Sequence, residues 1–220
     1  MRKILLASFL TISLCSFAQE RTYSTYWHQR ATLFETLPIH KKDIVFVGNS
    51  ITDGGEWSEL FNNPNVKNRG ISGDVSMGVY DRLDAIVKGK PKKIFLLIGV
   101  NDLARGTSID TIANNIALVI DKIKQQTPGT KIYLQSVLPV TDEKNMFSGH
   151  TSRGAEIAPL NLLLQQIAVN KSITYIDLYT KFIDPETGKL NVKYSNDGLH
   201  LLGAGYQYWA TIVKPYISEK

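Results

Sequence analysis

Cysteine is nearly absent: the 220-residue chain has a single one, Cys15. One thiol forms no intrachain disulfide, and Cys15 sits in a segment expected to be removed, so thiol catalysis is excluded as well. Long apolar runs are also scarce. The most apolar stretch, Ile4 to Phe17, is shorter than the roughly 20 residues of a membrane-crossing helix and is interrupted by Ser and Thr. A marked charge excess is missing: 25 Lys and Arg stand against 20 Asp and Glu. Setting aside Arg2 and Lys3 lowers the formal net charge from +5 to about +3. The basic residues are scattered, with short pairs at Lys41-Lys42 and Lys92-Lys93. So small and dispersed a surplus favours solubility and leaves no footprint for nucleic acid. Internal repeats, low-complexity tracts and long linkers are lacking too. Asp53, Asp74 and Asp102 match no defined set of metal ligands, so solvated surface positions are expected for them, with no metal and no cofactor.

What is present begins with a three-part leader. Arg2-Lys3 is a charged start, Ile4 to Phe17 a short apolar run, and Ser16-Phe17-Ala18 offers small residues at cleavage positions. Residues 1–18 are therefore expected to be a secretory signal peptide. Residues 19–220 are expected to form one domain, exported to the periplasm or the outside, with no stable membrane insertion after cleavage. Leu14 before Cys15 fits a lipoprotein anchor poorly. The chain is 43% apolar and 20% charged, enough to build a core without staples.

Short apolar runs alternate with helical patterns, as in an α/β fold with a parallel sheet covered by helices. Strands are expected at Asp43 to Val47, Val66 to Asn68, Lys93 to Ile98, Lys131 to Ser136 and Thr174 to Ile176. Ile109, Ile112, Ile116, Val119, Ile120 and Ile123 recur at helical spacing, with Thr107 and Asp110 as a capping-box-like start. Val79, Leu83 and Ile86 predict a second helix, and Leu160, Leu163, Leu164 and Ile167 a third. A last helix starts near Ala204, with Pro215 limiting its end. Tyr23, Tyr26, Trp27 and the run Gln29 to Leu37 suggest an N-terminal helix packed on the sheet. Residues 139–155 are a long polar stretch after a strand's C-terminal end, where open α/β sheets bind ligands.

Four places meet at those strand ends. Gly48-Asn49-Ser50 follows the first strand: a nucleophilic serine needs a sharp turn, and Gly48 permits one. A plain helix cap fits the same residues. Asn68-Arg69-Gly70-Ile71-Ser72-Gly73-Asp74 follows the second strand, its glycines freeing N–H groups for an oxyanion, or simply making a turn. Gly99-Val100-Asn101-Asp102 follows the third; the Asn101 amide suits an oxyanion and equally an Asx turn. Asp197-Gly198-Leu199-His200 precedes the last helix. An acid three residues before a histidine can fold back onto Nδ1 while Nε2 faces the serine. The histidines at 28, 40 and 150 have no such acid.

Together, in this order, these blocks resemble the SGNH hydrolase superfamily of GDSL-like esterases and lipases. The resemblance runs from residue 43 to about 213. Ser50, Gly73, Asn101 and His200 match that family's four named invariant residues, and Asp197 its acid three before the histidine. Residues 68–83 and 99–102 look most like the platelet-activating-factor acetylhydrolase-like subgroup and bacterial carbohydrate acetylesterases. The resemblance implies a three-layer α/β/α flavodoxin-like sandwich with a five-stranded parallel sheet. It also implies a Ser50–His200–Asp197 triad, and an oxyanion hole from Ser50, Gly73 and Asn101. Asn49 departs from the family's usual aspartate. Being nearly isosteric and keeping an acceptor, it is expected to be a structural variant.

The polarity of 139–155 points toward small acyl groups, and export toward O-acetylated glycans as the ester substrate. A lipid-directed enzyme of the lysophospholipase or thioesterase kind is the alternative, and a non-catalytic glycan-binding module the third. Trp57 suits either a sugar-stacking surface or a helix residue packed on the core, with the core favoured.

Overall fold

The computed structural model describes residues 21–219. The expected signal segment, with Cys15, lies outside the described residues. Five parallel strands form one sheet in the order β2-β1-β3-β4-β5. They are β1 Ile44–Gly48, β2 Val66–Gly70, β3 Lys93–Leu97, β4 Lys131–Gln135 and β5 Thr174–Ile176. Each falls where the apolar runs predict it, with small shifts at the ends. Helices cover both faces, giving the expected three-layer α/β/α arrangement. For that reason β1 and β3 are buried along their whole length.

Strand register builds the core. Phe46 is the partner of Phe95, and Phe95 of Tyr133, across β1, β3 and β4. Partners in register share a face, so the rings stack at 4.8 and 4.5 Å between centroids. Trp57 lies flat on Phe46 at 4.1 Å, and Trp209 of the last helix meets Trp57 edge-on at 4.7 Å. Trp57 is 1% exposed and its indole N–H donates to the Thr52 carbonyl, so it is a core residue and no sugar platform.

Helix Ile109–Gln126 buries Ile112, Ile116, Val119, Ile120 and Ile123, the predicted stripe. Its cap differs from expectation. Ser108, not Thr107, has the extended backbone, and its hydroxyl accepts from the Thr111 N–H. The pattern Val79-Leu83-Ile86 does not make one helix. It splits into Ser76–Asp81 and Asp84–Val87, with the break at Arg82, whose guanidinium turns inward. Nor does Pro215 end the last helix, Gly203–Ser218, which runs through it. Near a C-terminus proline removes only one N–H. Here Lys93, at the buried start of β3, donates from Nζ to the carbonyls of Tyr216, Ile217 and Glu219 at 2.6, 3.1 and 2.6 Å. The N-terminal helix is Thr25–Thr36, capped by Ser24, with Ala31 and Phe34 buried.

This strand order places the site. From β1 the chain steps to β2 on one side, and β3 lies on the other. In open α/β sheets the ligand crevice lies where connections diverge, here outside the carboxyl ends of β1 and β3. Among the described residues no helix is long and apolar enough to cross a membrane.

Candidate active site

The crevice is built from strand ends. β1 stops at Gly48, and Asn49 caps helix Ser50–Asp53 by accepting from the Ile51 N–H at 3.0 Å. Gly48 is required for space rather than for a special φ. A Cβ there would sit 2.3 Å from both the Leu97 carbonyl oxygen of β3 and the Thr52 hydroxyl. Close backbone approach thus delivers Ser50 to the end of the sheet next to β3, the strand that leads to Asn101. The cap is Asn49 rather than the serine, and Ser50 stands half-buried at the first helical position.

His200 reaches Ser50 from 150 residues away, its Nε2 lying 2.9 Å from Oγ. Its Nδ1 lies 2.8 Å from Asp197 Oδ2. The other Asp197 oxygen accepts from the backbone N–H groups of Leu199 and His200, both at 2.8 Å. Burial disfavours the Asp197 charge, but those donors and the imidazole outweigh it and hold the carboxyl below the ordinary carboxylate range. The carboxylate therefore stays ionised and favours the tautomer with the proton on Nδ1 and a basic Nε2 facing the serine.

The second block is tied to the first, the Ile71 N–H donating to the Gly48 carbonyl at 3.0 Å. Gly73 adopts φ +78° in open space, a left-handed turn that glycine takes without strain. Among the described residues no partner engages the N–H groups of Ser50 and Gly73. Asn101, at the start of helix Val100–Ala104, donates from Nδ2 to the Asp74 carbonyl at 2.8 Å. Arg105 donates to the Gly73 carbonyl at 2.7 Å. These bonds join the second and third blocks and leave one Asn101 N–H for a ligand.

The aspartates depart from expectation. Asp74 and Asp102 are 1% and 3% exposed, not solvated. Asp74 pairs with Arg82 Nε at 2.7 Å and accepts from the Trp27 indole N–H at 3.0 Å and from Val75 N–H. Asp102 accepts from the Ser76 N–H and hydroxyl. Burial raises both carboxyls above their ordinary range, opposed for Asp74 by Arg82 and for Asp102 by Ser76. Asp53, half-buried, binds the Ser72 N–H and hydroxyl and the Tyr26 hydroxyl. All three pin the loop that carries Gly73. Among the described residues no group of three or more His, Cys, Asp or Glu side chains is placed to hold a metal ion.

Sequence reasoning missed three residues. Arg82 also donates to the Arg69 carbonyl at 2.8 Å and the Gly48 carbonyl at 3.1 Å, tying β1, β2 and the Gly73 loop together. His150, set aside for lacking an acid three before it, has Nε2 2.8 Å from Asn101 Oδ1. Phe147, with φ +50°, puts its ring 4.9 Å from that of His200, edge to face. Both belong to residues 139–155, whose length and position after β4 were the available signal.

The model of the GDSL-like lipase/acylhydrolase family matches residues 46–208. The chain belongs to this family. As a GDSL-like acylhydrolase it is a carboxylic ester hydrolase. Platelet-activating factor acetylhydrolase IB subunit alpha2 of Rattus norvegicus is 27% identical to it over 179 residues, 79% of this chain and 73% of the relative. A solved structure from Streptococcus pneumonia, named for platelet activating factor, is 30% identical with a TM-score of 0.81, covering 87% of this chain and 92% of the other. An acetylxylan esterase from Geobacillus stearothermophilus shares the acylhydrolase's fold, at 16% identity, a TM-score of 0.67 and coverage of 82% and 96%.

Proposed function

We propose that this acylhydrolase is a serine esterase acting on short acyl esters, acetyl above all, through Ser50, His200 and Asp197. The observation that carries the reading is the unbroken relay of 2.9 Å from Ser50 Oγ to His200 Nε2 and 2.8 Å from His200 Nδ1 to Asp197 Oδ2. In this reading His200 takes the Ser50 proton as Oγ attacks the ester carbonyl. The carbonyl oxygen gains the negative charge and is held by the Ser50 and Gly73 N–H groups and the Asn101 amide. Collapse expels the alcohol, which His200 protonates. Water then attacks the acyl-enzyme, giving its proton to His200, and the carboxylic acid leaves with Ser50 restored.

The acetyl preference draws on curated relatives named acetylhydrolases and on the polar, exposed residues 142–145 of the loop that carries Phe147 and His150. A glycan ester outside the cytoplasm is the proposed substrate, on the strength of the leader pattern in residues 1–18. A second reading has its own observation. Met146 and Phe147 are 49% and 40% exposed, and Phe147 flanks His200, an apolar surface suited to a lipid acyl chain.

The test is hydrolysis of p-nitrophenyl acetate and octanoate by residues 19–220, with Ser50→Ala as control. Acetate turnover lost in the variant is the expected result. Serine-dependent preference for octanoate selects the lipid reading, and wild-type turnover in Ser50→Ala refutes the mechanism.

A further inference from the structure

We infer that His150 is a positioning residue for Asn101, locking its side-chain amide in the orientation that keeps an N–H available to the reacting carbonyl oxygen. This rests on the reading of Asn101 as an oxyanion donor. Asn101 is 6% exposed and its amide is gripped from both ends, Nδ2 at 2.8 Å from the Asp74 carbonyl and Oδ1 at 2.8 Å from His150 Nε2. The Asp74 carbonyl only accepts, so the NH₂ group must face it. Oδ1 only accepts as well, so the His150 nitrogen opposite it must carry a proton. Turning the amide over would set two oxygens against each other and two donors against each other, in a place with little water to compensate.

Charge on His150 is not required. Burial lowers its basicity, helped by the neighbouring His200 and Arg105, and the neutral Nε2–H tautomer makes the same bond. Donation into Oδ1 also draws electron density away from Nδ2, which strengthens the remaining N–H as a donor. His150 sits on helix Ser148–Thr151, which packs against helix Val100–Ala104. The segment 139–155 thereby contributes a group to the site itself.

The test is steady-state kinetics on p-nitrophenyl acetate for wild type, His150→Ala, His150→Gln, Asn101→Ala and the His150→Ala/Asn101→Ala double variant. Each is checked for a native circular dichroism spectrum. His150→Ala is expected to lower kcat about tenfold, the worth of one well-placed hydrogen bond, with KM unchanged because the bond acts on the transition state. The Gln side chain carries an N–H donor at similar reach, so His150→Gln recovers most of kcat. In the Asn101→Ala background, loss of His150 costs nothing further. A kcat for His150→Ala within about twofold of wild type overturns the inference. So does a His150→Gln variant no better than His150→Ala, or losses that multiply in the double variant. If Asn101→Ala itself keeps wild-type kcat, the oxyanion assignment has failed and the inference falls with it, a result distinct from failure confined to His150.

Discussion

Arg82→Met should strike the scaffold beneath the site harder than any exposed substitution. The Arg82 side chain is 3% exposed and its partner Asp74 is fully buried, 2.7 Å away. Methionine fills much of the same volume but donates nothing, leaving the buried carboxylate without its counter-charge and two strand-end carbonyls, of Arg69 and Gly48, short of a donor. Breaking a buried pair from one side costs about 3–5 kcal/mol. For a chain of this size that corresponds to a fall in Tm of roughly 6–20 °C. The sign of its pH dependence follows from burial, which already holds the Asp74 carboxyl above its ordinary range despite Arg82. Removing Arg82 raises it further. A carboxyl with a raised native pKa destabilises the fold most when ionised, so the deficit should be largest near neutral pH. It should shrink as pH falls into that raised range. Urea unfolding at about pH 7 and about pH 5 measures both effects. Arg82→Met/Asp74→Asn should recover part of the loss, since the unpaired charge is gone. A deficit below about 1 kcal/mol, or one equal at both pH values, would refute the reasoning.

Asp197→Asn should keep the fold and lower kcat on p-nitrophenyl acetate by a factor on the order of 10⁴, because an amide no longer favours the basic Nε2; a loss under tenfold counts against the relay. Gly48→Ala should destabilise by at least about 2 kcal/mol in urea, since the Leu97 carbonyl 2.3 Å from the new Cβ is backbone and cannot step aside. An unfolding midpoint like wild type would show that the strand ends yield. Asn49→Asp should retain kcat within about tenfold, because it keeps the acceptor for the Ile51 N–H. A change beyond a hundredfold in the same assay would place position 49 in proton transfer.

Most of the fold was legible because it rests on local patterns. A short, largely β-branched run such as Ile44 to Val47 fits a strand buried on both faces, and the stripe Ile112-Ile116-Val119-Ile123 has the period of a helix with one apolar side. The blocks holding Ser50, Gly73, Asn101, Asp197 and His200 could be located beside strand ends and a helix start that the pattern marks, but their roles were named through the resemblance to the SGNH family. Errors arose where a side chain answers to a distant partner. The Thr107–Asp110 cap lost to Ser108 by one residue of backbone geometry, and Pro215 failed to stop its helix because Lys93, far away in sequence, fastens the helix end. Asp74 and Asp102 read as solvated because nothing nearby in sequence announces Arg82 or Ser76 as the partner that makes burial tolerable.

By itself the sequence determined the element order, the parallel sheet and the residue types able to carry acyl transfer, since hydrophobic period and turn chemistry act over a few neighbours. Tertiary structure alone decided that Ser50 and His200 meet at 2.9 Å, that Arg82 binds two strand-end carbonyls and the Asp74 carboxylate, and that His150 grips Asn101. Such contacts close loops of up to 150 residues and depend on the path of the whole chain around its sheet, which no local pattern encodes.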